Sequence, residues 1–248
     1  MTIEGFSPFD PLKVKAGSDD SIAATRARKR EIENILSSYV GWYDPFGELV
    51  QNALDAIDKR REEEKAQGTS SNYRGDIRVI IDLDENLLTV SDNGIGMTGE
   101  QFQKFLAPNF SFKEVRTSRG HKGVGATYLA YGFNSLRVYT MAPGHRARGR
   151  ILNARNWTIG ELDLEPPLVE PDAGAMHDPE FENNTRGTSL TLRFDETTTP
   201  GKLSWMGAKT AETWATLLRV KTGLGALQPL EDLRCTIICV SGGGGDAV

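Results

Sequence analysis

The chain has 248 residues, 38% hydrophobic and 25% charged, which excludes a disordered polypeptide and allows one or two domains with a self-sufficient core. Its 29 Lys and Arg against 34 Asp and Glu leave a formal net charge of −5, which excludes a domain that is basic overall and built for nucleic acid. No apolar run is long enough to span a bilayer, the N-terminus lacks a leader layout, and Cys235 and Cys239 lie in an apolar stretch without a nearby histidine, so a reducing cytoplasmic setting is expected.

Residues 1–17, with Pro8, Pro11 and two Phe, read as an arm across the domain. A helix is predicted over 20–39 from Ile32, Ile35, Leu36 and Tyr39 at i, i+3, i+4 and i+7. Asp44 as N-cap and Pro45 at the first helical position start a second helix, which stops near Gly68. Ile77, Val79 and Ile81 alternate as a strand, Asp84-Glu85-Asn86 turns, and LLTVSD returns. A short helix near 98–107, a polar stretch to Gly120, a helix start at GVGATYLAYG and a strand at SLRVYTM follow. Residues 146–158 read as an Arg-rich strand and 161–186 as a long acidic loop. TSLTLRF is a strand, 205–220 a helix, CTIICV a last strand, and 241–248 a flexible Gly-rich tail. This order lacks regular βαβ alternation, so the expected fold is a two-layer α/β sandwich: a mixed, mostly antiparallel sheet with helices on one face.

Four segments carry polar residues in unusual places. On the second helix Glu48, Asn52 and Asp55 stand at i, i+4 and i+7, opposite Leu49, Val50, Ala53, Leu54 and Ile57. Such a row is either a solvated face or a site. In VSDNGIGM, Asp92 shares the face of Leu88 and Val90, so it leaves its strand on the apolar side. Asp-Asn-Gly is also ordinary turn chemistry. A buried Asp needs a partner, and the exocyclic amine of a purine would serve. Gly120, Gly123 and Gly125 precede a helical stretch, where free backbone N–H groups form an anion site. Neither a Walker P-loop nor a Rossmann fingerprint is present. Gly187-Thr188 opens a strand and is uninformative alone.

Together, ELVQNALDAIDKRR, DNGIGM, GHKGVG and GTSLTL resemble, in order and spacing, the GHKL superfamily of ATP-binding domains. That superfamily includes the ninety-kilodalton heat-shock chaperones, MutL-type mismatch-repair proteins, gyrase B subunits, MORC proteins and histidine kinases. The likeness runs from about residue 44 to 195 and is closest to the chaperone, MutL and MORC branch. The resemblance implies a Bergerat ATP-binding fold over 21–240, behind an N-terminal arm of residues 1–20. It implies Glu48 as the general base, Asn52 as the Mg²⁺ ligand and Asp92 as the reader of adenine with a water held by Thr188. It implies Gly96 and Met97 in the adenine pocket, and Lys122, Gly123, Val124, Gly125 and Ala126 at the phosphates. Asp55 takes a supporting place, and residues 104–120 would be a lid over ATP.

Of the other candidates, His121 sits in the glycine loop, while His145 and His177 read as surface residues. GHRARGRILNAR (144–155) and RARKR (26–30) are expected to be solvated rather than to bind nucleic acid, and Cys235, Ile237 and Cys239 to be core. The resemblance implies Mg²⁺-dependent binding and slow hydrolysis of ATP by a module that dimerises with ATP. In the chaperone, MutL and gyrase branches a following domain supplies a cation to the γ-phosphate, so a downstream transducer domain or partner chain is expected. Histidine phosphotransfer on the same fold is the alternative; it is opposed by Glu48 and by the absence of any histidine before position 121. A nucleotide-binding regulator without turnover is a third reading. Neither a membrane nor, from the net charge, nucleic acid is indicated.

Overall fold

A computed structural model describes residues 5–13, 22–68, 73–107, 124–160, 165–226 and 233–248. The helices are α1 (Ile22–Ser37), α2 (Asp44–Ala66), α3 (Gly99–Phe105), α4 (Val124–Tyr131), α5 (Ala154–Ile159) and α6 (Ala211–Lys221). The strands are β1 (Gly75–Asp82), β2 (Leu87–Asp92), β3 (Ser135–Ala142), β4 (His145–Leu152), β5 (Val169–Pro171), β6 (Gly187–Arg193), β7 (Leu233–Ser241) and β8 (Gly244–Ala247). They form one sheet in the order β5-β4-β3-β6-β2-β1-β7-β8. β1 and β7 pair in parallel, and the other described neighbours are antiparallel. This is the mixed, mostly antiparallel α/β sandwich that the sequence predicts.

Period-two alternation sends Ile77, Val79, Leu88, Val90, Leu190 and Leu192 to one face. There they join Leu49, Ala53 and Ile57 of α2 and Trp214 and Leu218 of α6 in one continuous core. Each fully buried aliphatic or aromatic side chain contributes about 1.5–3 kcal/mol of transfer free energy, so this inner face fixes the register of the sheet. The N-terminal arm pairs Phe9 with Val169 through two backbone hydrogen bonds of 3.1 and 2.9 Å, and packs Phe6 and Phe9 on Phe102.

Several expectations need correction. Asp44 does not cap α2 forwards: the N-cap position is Tyr43, and the Asp44 carboxylate turns back to accept the Gly41 N–H at 2.7 Å. The strand expected over 146–158 ends at Leu152, because Asn153 takes φ +58° and turns the chain into α5. Asparagine tolerates that left-handed backbone. The helix expected over 205–220 starts only at Ala211, after a 3-10 turn over Leu203–Met206. The Gly-rich end is no loose tail. Gly242 and Gly243, at φ +65° and +76°, turn β7 into β8 as such a hairpin requires, and both donate N–H groups to Asp84 at 2.9 Å. Asp246 on β8 then accepts the first N–H of α6, from Ala211, at 2.9 Å.

The second face of the sheet is covered as well. Within the acidic segment read as a loop, β5 joins the sheet edge and residues 172–184 cross the outer face. His177 is not a surface residue: its ring nitrogens lie 2.7 Å from Thr89 Oγ1 and 3.1 Å from Asp82 Oδ2. Arg78 pairs with the fully buried Asp178 at 3.3 Å, and Phe181 meets Tyr139 edge-on. Arginines of β4 serve this segment: Arg150 pairs with Glu170 at 3.3 Å, and Arg148 donates to the Gly174 carbonyl. Lys29, within the basic run of α1, is buried and bonded to the Gly160 carbonyl. Among the described residues no helix is long and apolar enough to cross a membrane.

Candidate functional site

α2 positions the first group. Leu49, Val50, Ala53, Leu54 and Ile57 are at most 3% exposed on its core side, which turns Glu48, Asn52 and Asp55 the other way. Glu48 Oε1 accepts a hydrogen bond of 2.9 Å from the Tyr39 hydroxyl. The Tyr39 ring stacks flat on Tyr128 of α4, with centroids 4.0 Å apart and planes 3° apart. Glu48 Oε2 rests against Gly125: a Cβ there would lie 1.9 Å away. Asp55 Oδ1 accepts from Gln51 Nε2 at 2.8 Å, one turn back on the same helix.

The end of β2 positions the second group. Asp92, Thr188 and Thr140 stand in one row across β2, β6 and β3, on the inner face where neighbouring residues are aliphatic. Asp92 is 6% exposed, and burial pushes its carboxyl up to about 7. The N–H groups of Gly94 (2.7 Å to Oδ1) and Thr188 pull the other way. Thr140 Oγ1 lies 3.2 Å from Thr188 Oγ1 and accepts the Met97 N–H at 2.9 Å. Gly96 takes φ +69°, and a Cβ there would sit 1.8 Å from the Met141 carbonyl oxygen, so only glycine lets the motif fold over β3. Arg186 fastens the same loop to α2, reaching Glu63 at 2.7 Å and the Ile95 carbonyl at 3.4 Å.

The third group is the start of α4, where Val124, Gly125 and Ala126 form the first turn. Lys122, Gly123 and His121 lie outside the described residues, as do residues 108–120 of the expected lid. The structure thus gathers Glu48 and Gly125 directly, and aligns Asp92 with Thr188.

Asn52 is the residue of this face that could hold Mg²⁺. Its side-chain Nδ2 is buried and, among the described residues, has no hydrogen-bond partner. A half-turn of the amide would bring Oδ1 to that place, and an amide oxygen is a donor that Mg²⁺ accepts. Magnesium takes few ligands from protein and completes its six with water and phosphate.

Residues 43–198 match the family described as histidine kinase-, DNA gyrase B- and HSP90-like ATPase. The chain belongs to that family. The match begins one residue before α2 and ends beyond β6, so it encloses all three groups. Similar proteins are the chaperone protein HtpG of Actinobacillus pleuropneumoniae, 52% identical over 185 residues, covering 69% of this chain and 28% of that protein. HtpG of Shewanella halifaxensis is 34% identical over 163 residues, and HtpG of Actinobacillus succinogenes 32% over 165, each covering 58% of this chain and 23% of the relative. The chain spans about a quarter of the length of these curated relatives.

Two residues of the site escaped the sequence reading. Thr140 had a signal, because SLRVYTM alternation puts it on the face of Leu136 and Val138, as it does Asp92 on its own strand. Tyr39 had none as a polar group, because its hydroxyl meets Glu48 only after the chain doubles back between α1 and α2.

Proposed function

We propose that this chain binds ATP with Mg²⁺ and hydrolyses it slowly, as the ATP-gated module of a larger machine. The supporting observation is the contact between Glu48 and Gly125: it sets a carboxylate beside the helix start where phosphates would bind. Asp92 accepts a hydrogen bond from the adenine amino group, with a water on Thr188 beside it and Gly96 and Met97 lining the pocket. N–H groups of Gly123, Val124, Gly125 and Ala126, with Lys122, hold the phosphates. Asn52 holds Mg²⁺ and Asp55 supports that face of α2. Magnesium, when bound, would neutralise phosphate charge. Glu48 takes a proton from the attacking water, and removing such a base costs about 10²–10⁴-fold in rate.

Phosphate release from the full-length protein tests this reading. Glu48→Ala should abolish turnover and keep ATP affinity within a few fold. Asn52→Ala should weaken Mg·ATP binding itself. Wild-type turnover by Glu48→Ala removes Glu48 as the base, and binding without phosphate release in the unmutated protein makes the chain a regulator. Pairing of two copies with ATP, and a cation reaching the γ-phosphate from a further domain or partner chain, belong to the same proposal. Sedimentation with and without a non-hydrolysable analogue tests the pairing.

A further inference from the structure

We infer that Tyr39 is a positioning residue that aims the Glu48 carboxylate at the attacking water, and that its stack on Tyr128 ties this aim to the start of α4. The inference rests on the reading of Glu48 as the general base. A glutamate on a helix surface has three rotatable bonds, so its carboxylate samples several directions unless something holds it. Here two neighbours from two other elements hold it. The Tyr39 hydroxyl, just past the end of α1, donates to Oε1 at 2.9 Å. On the other side, Oε2 fits into the space left by the missing side chain of Gly125.

Tyr39 is itself held. Its backbone N–H bonds to the Leu36 carbonyl at 3.0 Å, and its ring lies flat on Tyr128, whose helix begins at Val124. A shift of the first turn of α4 therefore moves Gly125 and the Tyr128 platform together, and both bear on Glu48. Burial, then the negative charges of Glu48 and Asp44, push the Tyr39 phenol well above its usual range. Tyr39 stays a neutral donor at any working pH. Arg155 faces Tyr128 from α5. A proton donated to one carboxylate oxygen favours the ionised form, which is the form a base must have.

The test compares Tyr39→Phe, Glu48→Gln and the double variant in the full-length protein. Phenylalanine keeps the stack and removes only the hydroxyl. Tyr39→Phe should lower kcat about ten- to a hundredfold, in line with the cost of a misplaced catalytic group, while ATP affinity stays within about twofold. The acid limb of its rate profile should move up, because the charged form has lost a hydrogen bond. Carbon NMR of labelled glutamate side chains, without nucleotide, should show the same rise in the Glu48 midpoint. Adding Tyr39→Phe to Glu48→Gln should cost nothing more.

If Glu48→Gln is inactive while Tyr39→Phe keeps the wild-type rate and midpoint, Tyr39 has no positioning role and the base stands. An equal loss in kcat and in ATP affinity with Tyr39→Phe also overturns it, since that pattern marks a damaged fold. If Glu48→Gln hydrolyses ATP at the wild-type rate, the reading of the base falls and the inference falls with it.

Discussion

Glu48 and Gly125 are in direct contact across two helices: a methyl group on Gly125 would lie 1.9 Å from Glu48 Oε2 and 2.8 Å from its carboxyl carbon. The obstructed atoms are the far end of a flexible side chain, so the chain accommodates Gly125→Ala by turning Glu48 away. Thermal stability should change by no more than about 1 kcal/mol, since glycine within a helix is itself unfavourable by about that amount relative to alanine. Phosphate release should fall about a hundredfold or more, as for a displaced base. A variant with normal melting and normal turnover would separate the contact from the chemistry.

Gly96→Ala should behave differently. Its φ of +69° disfavours a side chain, and the obstructing atom is the Met141 backbone oxygen at 1.8 Å, which cannot rotate away. Here the fold itself should lose about 2 kcal/mol or more, and the adenine pocket with it. Chemical denaturation measures the first and calorimetry with ATP the second.

Asp92 gives the protein a pH signature. Its carboxyl is raised by burial from an ordinary 3.8 to about 7, so the folded chain prefers the protonated form. Below about pH 4 both folded and unfolded chains hold that proton, and the preference costs nothing. As pH rises from about 4 to 7 the unfolded chain ionises first, and stability should fall by up to about 1.4 kcal/mol per pH unit before levelling off. Asp92→Asn should flatten this slope in denaturation measured from pH 4 to 8. ATP works in the opposite direction: an adenine amine donates to the ionised carboxylate, so affinity should weaken as pH drops below 7. Asp92→Ala should lose about ten- to a hundredfold in ATP affinity, the size of a charge-assisted hydrogen bond. Calorimetry at pH 6 and 8 checks both, and an unchanged dissociation constant in a folded Asp92→Ala protein refutes the assignment.

The outer face offers a control. Asp178 is fully buried and paired with Arg78 and lies across the sheet from Asp92. Asp178→Ala removes one partner of a largely buried pair and should destabilise the chain by about 3 kcal/mol. ATP affinity at a temperature where the variant is folded should stay at the wild-type value. A change in affinity would show that the segment over 172–184 communicates with the nucleotide side.

The sequence by itself determined the elements whose period is strong and local. Alternation in DIRVIID and LLTVSD gave the central hairpin, and the α2 pattern gave both its core face and the row of Glu48, Asn52 and Asp55. The same alternation exposed Asp92 as a carboxylate on an apolar face, a conflict that only burial with a partner resolves. What the sequence did not determine depends on contacts between distant segments. The Gly-rich end became a strand because Asp84, 158 positions upstream, receives the N–H of Gly242. His177 left the surface because the segment over 172–184 carries it onto the sheet's outer face, where its two ring nitrogens meet Thr89 and Asp82. Tyr39 reached Glu48 because the α1–α2 turn and the Tyr128 platform together fix a hydroxyl that composition and period leave pointing anywhere. Local patterning fixes which face of an element is buried, whereas the polar partners on that face are chosen only when distant segments close on one another.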